Sequence, residues 1–346
     1  MEAKLSNFER HFRLAGREIG PEAPCFVIAE GGVNHFGDLD KAFALIDLAA
    51  DCSADAFKTQ HFKTDLLVGP SAPEWRDRLR SKELPDDAIL RMKEHCEKRE
   101  IVFLCTPHDE AALEVLEEKV GVPGYKIGSG EVENWPYLAK VASKGKPVIL
   151  STGMYELPQI EDAACVMAEA GCSALAILHC VTSYPAEPSD INLGVMAQIR
   201  EFFPGPVGYS DHTEGTAVAL AAVALGADVV EKHITIDRDV PNAQDWKVSC
   251  DPTNFAEFVA GVREIESARG GAVKTIGDAE RESMLWARKS LTAARDIAAG
   301  MTLEAGDLVA QRPGQGLPAS HLKELVGRRV RANIPAGTPI DVTMVD

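Results

Sequence analysis

From residue 24 to residue 268 the chain repeats one pattern eight times: a short apolar run, then an amphipathic segment at helical spacing. The apolar runs are PCFVIA, DAFKT, IVFLC, GYKIG, PVILS, ALAILHC, PVGYS and DVVEK. The segments after them fall near residues 39–50, 86–99, 110–119, 135–143, 157–170, 193–203, 215–225 and 254–268. Runs this short belong to strands covered on both faces, and strict alternation with helices calls for parallel pairing. Eight such units over about 250 residues predict a (β/α)8 TIM barrel, with an open doubly wound sheet as the competitor.

Each run ends in polar or ionisable side chains: Glu30; Lys58 with Gln60; Thr106; Lys126 with Ser129; Ser151 with Thr152; His179 with Thr182; Ser210, Asp211 and His212; Lys232 with His233. The C-terminal ends of parallel strands share one edge, where sites form in α/β folds. His212 and His233, 21 positions apart, are therefore expected side by side, as a metal site, an acid/base site or two strand caps. A lysine inside an apolar strand is costly unless paired or bound to an anion, so those in FKTQ, YKIGSG and EKH point to an anion site at the barrel mouth. KIGSGE, where Ser129 stands between Gly128 and Gly130, and the turn Ser151-Thr152-Gly153 have the form of phosphate cradles. The segment 62–85, which contains Trp75, reads as a long polar loop serving as a lid or an oligomer contact.

Past Arg269-Gly270-Gly271 the texture changes to a polar linker with a helical stretch at 279–286, then short β-like pieces separated by Gly and Pro. The expected division is a barrel over 1–275, a linker over 276–287 and a small β-rich module over 288–346. That module is too small for a deep site and is expected to cover a barrel.

A net charge of -17 and a pI near 5.0 exclude nucleic acid and anionic membrane as main partners, so an anionic substrate must meet a local cluster of cations. No apolar run approaches the ~20 residues of a membrane span, and no signal peptide is evident, which predicts a cytoplasmic protein. The eight cysteines form no CxxC pair and read as buried free thiols in a reducing compartment.

AEGGVNHFGD, FKTQ, CTPHD, YKIGSGE, KPVILSTGM, LHCVTSYP, GYSDHT, EKHIT and QRPGQG occur in this order along nearly the whole chain, which thereby resembles the sialic acid synthases. Those enzymes condense phosphoenolpyruvate with an N-acylated aminosugar to make nonulosonic acids. The module over 288–346 resembles the antifreeze-like (SAF) domain joined to such barrels. The resemblance implies metal ligands at His212 and His233 and phosphoenolpyruvate contacts at Lys58, Thr106, Lys126, Ser129, Ser151 and Ser210. Glu30, Gln60, Tyr184 and Asp211 match positions lining the sugar side, with Glu30 and Asp211 as candidates for moving protons or steering water. Arg312 matches an arginine that reaches into the barrel of the partner subunit, which implies a domain-swapped homodimer. The implied metal is Mn2+ or Mg2+, polarising the open-chain sugar's aldehyde.

Two departures from the N-acetylneuraminate pattern lie on the sugar side. Val181-Thr182-Ser183 stands where some members carry a sugar-contacting asparagine, which makes Thr182 the candidate there. In the loop after His233, Asp245 matches only after a one-residue shift. The acceptor is thus an N-acylated aminohexose or a 2,4-diacetamido-trideoxyhexose. The remaining alternatives are a barrel lyase using Lys126 or Lys232 as a Schiff base, and a non-catalytic carbohydrate- or ice-binding protein built on the C-terminal module.

Overall fold

The computed structural model describes residues 5–240, 245–271 and 273–346 and divides into two compact units, Met1–Gly270 and Gly271–Asp346. The first opens with a hairpin, β1 (Phe12–Leu14) and β2 (Arg17–Ile19). Eight parallel strands follow: β3 (Phe26–Gly32), β4 (Ala56–His61), β5 (Val102–Pro107), β6 (Tyr125–Ile127), β7 (Val148–Ser151), β8 (Leu175–Cys180), β9 (Val207–Asp211) and β10 (Val229–His233). Their order is β5-β4-β3-β10-β9-β8-β7-β6, and β5 packs beside β6 without a ladder, so the barrel is nearly closed. The expected helices are present, among them Leu39–Asp51, Asp86–Lys98, Leu157–Glu169 and Pro252–Arg269.

Side chains alternate between the two faces of each strand, and this period of two organises the unit. Phe26, Ile28, Ala56, Val102, Leu104, Ile149, Ala176, Leu178 and Val229 point inward and pack with Phe12, Leu14 and Ile19 of the hairpin, which plugs the barrel. Val27, Phe57, Phe103, Tyr125, Leu150, Ile177, Tyr209 and Val230 take the other face and pack in the core under the helices. Gly208 is required where β9 meets β10, because a Cβ there would lie 2.1 Å from the carbonyl oxygen of Val229.

The segment expected as a loop over 62–85 holds two short helices, Thr64–Leu67 and Pro73–Arg80. Its base is tied down by polar contacts: Thr64 N donates to Glu83 Oε2 (2.8 Å), and Lys63 Nζ meets Asp86 Oδ1 at 2.9 Å.

In the second unit, the linker carries a helix, Asp278–Ala287, with no buried residue. β11 (Ser290–Ala293) pairs antiparallel with β12 (Leu308–Gln311) around a core of Leu291, Ile297, Leu303, Leu325, Val330, Ile334, Ile340 and Val345. No helix among the described residues is long and apolar enough to cross a membrane, and no disulfide joins the eight cysteines.

Candidate active site

A cavity of about 380 Å³ opens at the C-terminal end of the barrel strands. Alternation decides which strand-end residues reach it. On β10, Glu231 and His233 face in and Lys232 faces out; beside it, Ser210 and His212 face in and Asp211 faces out. Glu30, Lys58, Gln60, Thr106, Lys126, Ser129, Ser151, Thr182, Tyr184 and Asp245 also line the cavity.

Its floor is a network of charges. Lys58 Nζ lies 3.2 Å from Glu30 Oε1 and 3.1 Å from Glu231 Oε2. Lys126 Nζ donates to Ser151 Oγ (2.7 Å) and lies 3.4 Å from Glu231 Oε1, which also accepts from Ser210 Oγ (2.9 Å). Burial works against every charge here, and the partners decide the balance. Burial drives Lys126 down to about 8 against the pull of Glu231. Lys58 resists the same burial because Glu231 and Glu30 flank it, and it ends above the ordinary lysine value. Burial pushes Glu30 up to about 7 in spite of Lys58, which leaves a carboxyl that can hold a proton near neutrality. Glu30 Oε2 and Thr106 Oγ1 are buried without a protein partner, so both remain available to a ligand.

Beside this floor the imidazoles of His212 and His233 stand with ring centroids 5.4 Å apart. His212 Nδ1 donates to the carbonyl oxygen of Val181 (2.8 Å), which makes Nε2 the acceptor, 3.0 Å from the Tyr184 hydroxyl. Burial, with His212 adding to it, pushes His233 well below the ordinary histidine value, and its Nδ1 has no partner. Two imidazoles lining one polar cavity fit a divalent cation, which would compete with the proton that Cys180 and the Val181 carbonyl favour on His212 against its burial. Among the described residues no group of three or more His, Cys, Asp or Glu is arranged to hold a metal ion.

The two Gly-rich turns meet. Gly153 N donates to Ser129 Oγ (2.9 Å), and a Cβ on Gly153 would lie 2.2 Å from Thr182 Oγ1. Trp75, Arg78, Leu79 and Lys82 of the segment 62–85 line the cavity's outer part with Val33 and Met154, so that segment forms a wall.

Three expectations need correction. Asp211 does not face the sugar side: it is fully buried behind the wall, paired with Lys232 at 2.7 Å and accepting from Tyr209 Oη, Thr213 N and Thr213 Oγ1. Lys232, whose Nζ also donates to the carbonyl oxygen of Thr213 (2.7 Å), is no part of the anion site and no Schiff-base candidate. His179 likewise turns away, its Nε2 bonded to the carbonyl oxygen of Ile191 at 2.6 Å. The residue missed was Glu231, and its position two before His233 on one strand was the signal. His108, held at 3.3 Å from Gln60 Oε1 and pushed down to about 4 by burial, was missed as well. Arg312 lies in the second unit, its guanidinium 5.8 Å from the ring centre of Trp286.

The sequence model of the NeuB family matches residues 45–274, and that of the SAF domain matches 288–346. The chain belongs to the NeuB family. It is 38% identical to the N,N'-diacetyllegionaminic acid synthase of Campylobacter jejuni, over 89% of this chain and 96% of the relative. The human N-acetylneuraminate-9-phosphate synthase is 34% identical, over 96% of this chain and 95% of that protein. In structure, this NeuB-family chain matches the sialic acid synthetase of Leptospira borgpetersenii, crystallised with citrate, at a TM-score of 0.74 and 35% identity. The match covers 79% of this chain and 95% of that one. Sialic, legionaminic and pseudaminic acid synthases are thus among the relatives.

Proposed function

We propose that this chain condenses phosphoenolpyruvate with the open-chain form of an N-acylated aminohexose, giving a nonulosonic acid and phosphate. The observation that carries the reading is the pairing of Lys58 and Lys126, held at one carboxylate on the cavity floor, with the imidazoles of His212 and His233 lining the same cavity. Lys58 and Lys126 supply the charge for the phosphate and carboxylate of phosphoenolpyruvate, and Thr106, Ser129, Ser151 and Ser210 supply neutral donors around it. His212 and His233 would hold Mn2+ or Mg2+. That ion, when bound, supplies Lewis-acid polarisation of the acceptor's aldehyde. C3 of phosphoenolpyruvate then bonds to the aldehyde carbon, whose oxygen takes a proton. Water adds at C2, and the resulting tetrahedral centre loses phosphate to leave the keto acid. Glu30, whose carboxyl holds a proton up to about 7, is the group placed to move it; Gln60 orients Glu30 through Nε2 at 3.2 Å from Oε1.

Tyr184, Thr182 and Asp245 would face the sugar. A second reading changes only the acceptor, to a 2,4-diacetamido-trideoxyhexose. It is favoured by the apolar side chains of Val33, Trp75, Leu79 and Met154, which stand beside Arg78 and Lys82 in the cavity lining and suit a deoxy methyl better than a hydroxyl. The deciding experiment is a phosphate-release assay with phosphoenolpyruvate, Mn2+ and both acceptor classes, with the product weighed by mass spectrometry. Release with neither class would remove the proposal. Trapping of Lys126 by borohydride in the presence of substrate would instead favour a Schiff-base lyase.

The reading includes a domain-swapped homodimer with Arg312 entering the partner's barrel. Leu285 and Trp286, 74% and 62% exposed on the linker helix beside Arg312, are apolar surface suited to a partner. Mixing an Arg312→Ala protein with an inactive Lys58→Ala protein tests it: shared dimers that recover no activity refute the trans site. The reading also places the enzyme in the cytoplasm, where cysteines without disulfides stay reduced.

A further inference from the structure

Glu231 has no part in the reaction outlined above, yet its carboxylate joins more of the cavity floor than any neighbour described. It is 3% exposed and sits on β10, while the donors it meets, Lys58, Lys126 and Ser210, come from β4, β6 and β9. These three donors are also half of the set assigned above to phosphoenolpyruvate. We propose that Glu231 is a positioning residue, the internal counter-ion that keeps Lys58 and Lys126 charged and aimed at the substrate's anionic groups. The proposal rests on the phosphoenolpyruvate reading and assigns a role within it.

Two ammonium groups, 3.1 and 3.4 Å from oxygens of one carboxylate, repel each other and are both cut off from water. Without an anion between them, a buried pair of this kind relieves its energy by losing a proton. The two lysines are not equally protected. Lys58 has Glu30 as a second carboxylate at 3.2 Å, whereas the other bonds of Lys126 go to neutral oxygens, Ser151 Oγ at 2.7 Å and the carbonyl of Ile127 at 3.3 Å. Lys126 is therefore the lysine whose charge depends on Glu231. The remaining groups around it are Lys58 on β4, Glu30 on β3, Cys180 on β8 and His108 after β5. Among them Glu231 is the strongest influence holding the proton on, against burial that already brings Lys126 down to about 8. The two bonds Glu231 makes through Oε1 also fix the angle between β6 and β9 donors, so the anion finds its partners already oriented.

The test is calorimetric titration of the full-length chain with phosphoenolpyruvate and, separately, inorganic phosphate, between about pH 6 and pH 9, for wild type, Glu231→Gln and Glu231→Asp. Wild-type affinity for either anion is expected to weaken above pH about 8, where Lys126 loses its proton. In Glu231→Gln that limb moves down by about one pH unit, so binding is about five-fold weaker than wild type near pH 8, approaches about ten-fold weaker near pH 9 and recovers toward pH 6. Glu231→Asp, which keeps the charge on a shorter arm, is expected to restore part of the shift. A Glu231→Gln profile that overlays wild type, or an equal loss at every pH, overturns the proposal, because a merely structural residue would not move the limb. Phosphate binding with the expected limb but no binding of phosphoenolpyruvate would leave Glu231 in its role and remove the substrate reading instead.

Discussion

Replacing Asp211 by asparagine separates the fold from the chemistry. The carboxylate receives Lys232 Nζ at 2.7 Å, Thr213 Oγ1 at 2.9 Å, Thr213 N at 3.0 Å and Tyr209 Oη at 3.1 Å, with both members of the ion pair fully buried. Asparagine keeps the volume and one acceptor oxygen, and it leaves Lys232 with a carbonyl but no counter-charge. Removing one member of a buried pair costs about 3–5 kcal/mol. At roughly 2–4 °C per kcal/mol for a unit of this size, the thermal midpoint of the barrel should fall by roughly 10 °C. Adding Lys232→Met removes both charges and should recover stability to within about 2 kcal/mol of wild type, a coupling that a double-mutant cycle measures directly. The assay pairs melting by circular dichroism with phosphate release per folded chain well below the transition, where kcat should stay within about three-fold of wild type. An Asp211→Asn protein that melts with the wild type yet turns over more than about 100-fold slower would refute this and put Asp211 in the chemistry.

Other outcomes follow from the same geometry. His212→Ala and His233→Ala should each abolish metal-dependent phosphate release and weaken Mn2+ binding, read from the spin-resonance signal of free Mn2+, while the barrel stays folded; near-normal release by either would remove the metal assignment. Glu30 has its carboxyl raised from 4.5 to about 7, so its protonated form is the stable one in the fold and its contribution is lost as pH rises through that window. Glu30→Gln should therefore gain stability relative to wild type between pH 4.5 and about 7, and parallel denaturation curves across that range would contradict it. Trp75→Ala and Leu79→Ala should raise KM for the acceptor about ten-fold and leave KM for phosphoenolpyruvate within about two-fold, since they line the outer wall. Equal changes in both constants would show that the wall does not discriminate.

The barrel was legible because its pattern is local. Eight apolar runs between amphipathic segments leave few ways to bury both faces of each strand. The segment 62–85 was harder, since helix Pro73–Arg80 buries none of its residues and has no apolar stripe to announce it. The site was legible in its position and largely in its residues, with errors at Ser210-Asp211-His212 and Glu231-Lys232-His233. Asp211 and Lys232 were read as presented at the mouth with their histidine neighbours and Glu231 was passed over, whereas consecutive strand residues go to opposite faces.

By itself, the sequence determined that strands and helices alternate, that strand ends carry ionisable groups, and that Lys58, Lys126, His212 and His233 belong to one edge. Only the tertiary structure decided how the charges pair. Lys232 could satisfy Asp211 outside the wall or an anion inside it, and in the chain both choices read alike. The register of β9 against β10 sets Lys232 beside Asp211 and Glu231 beside Ser210. A buried charge must find its partner among the neighbours that register provides, so one ion pair became part of the wall and the other part of the site.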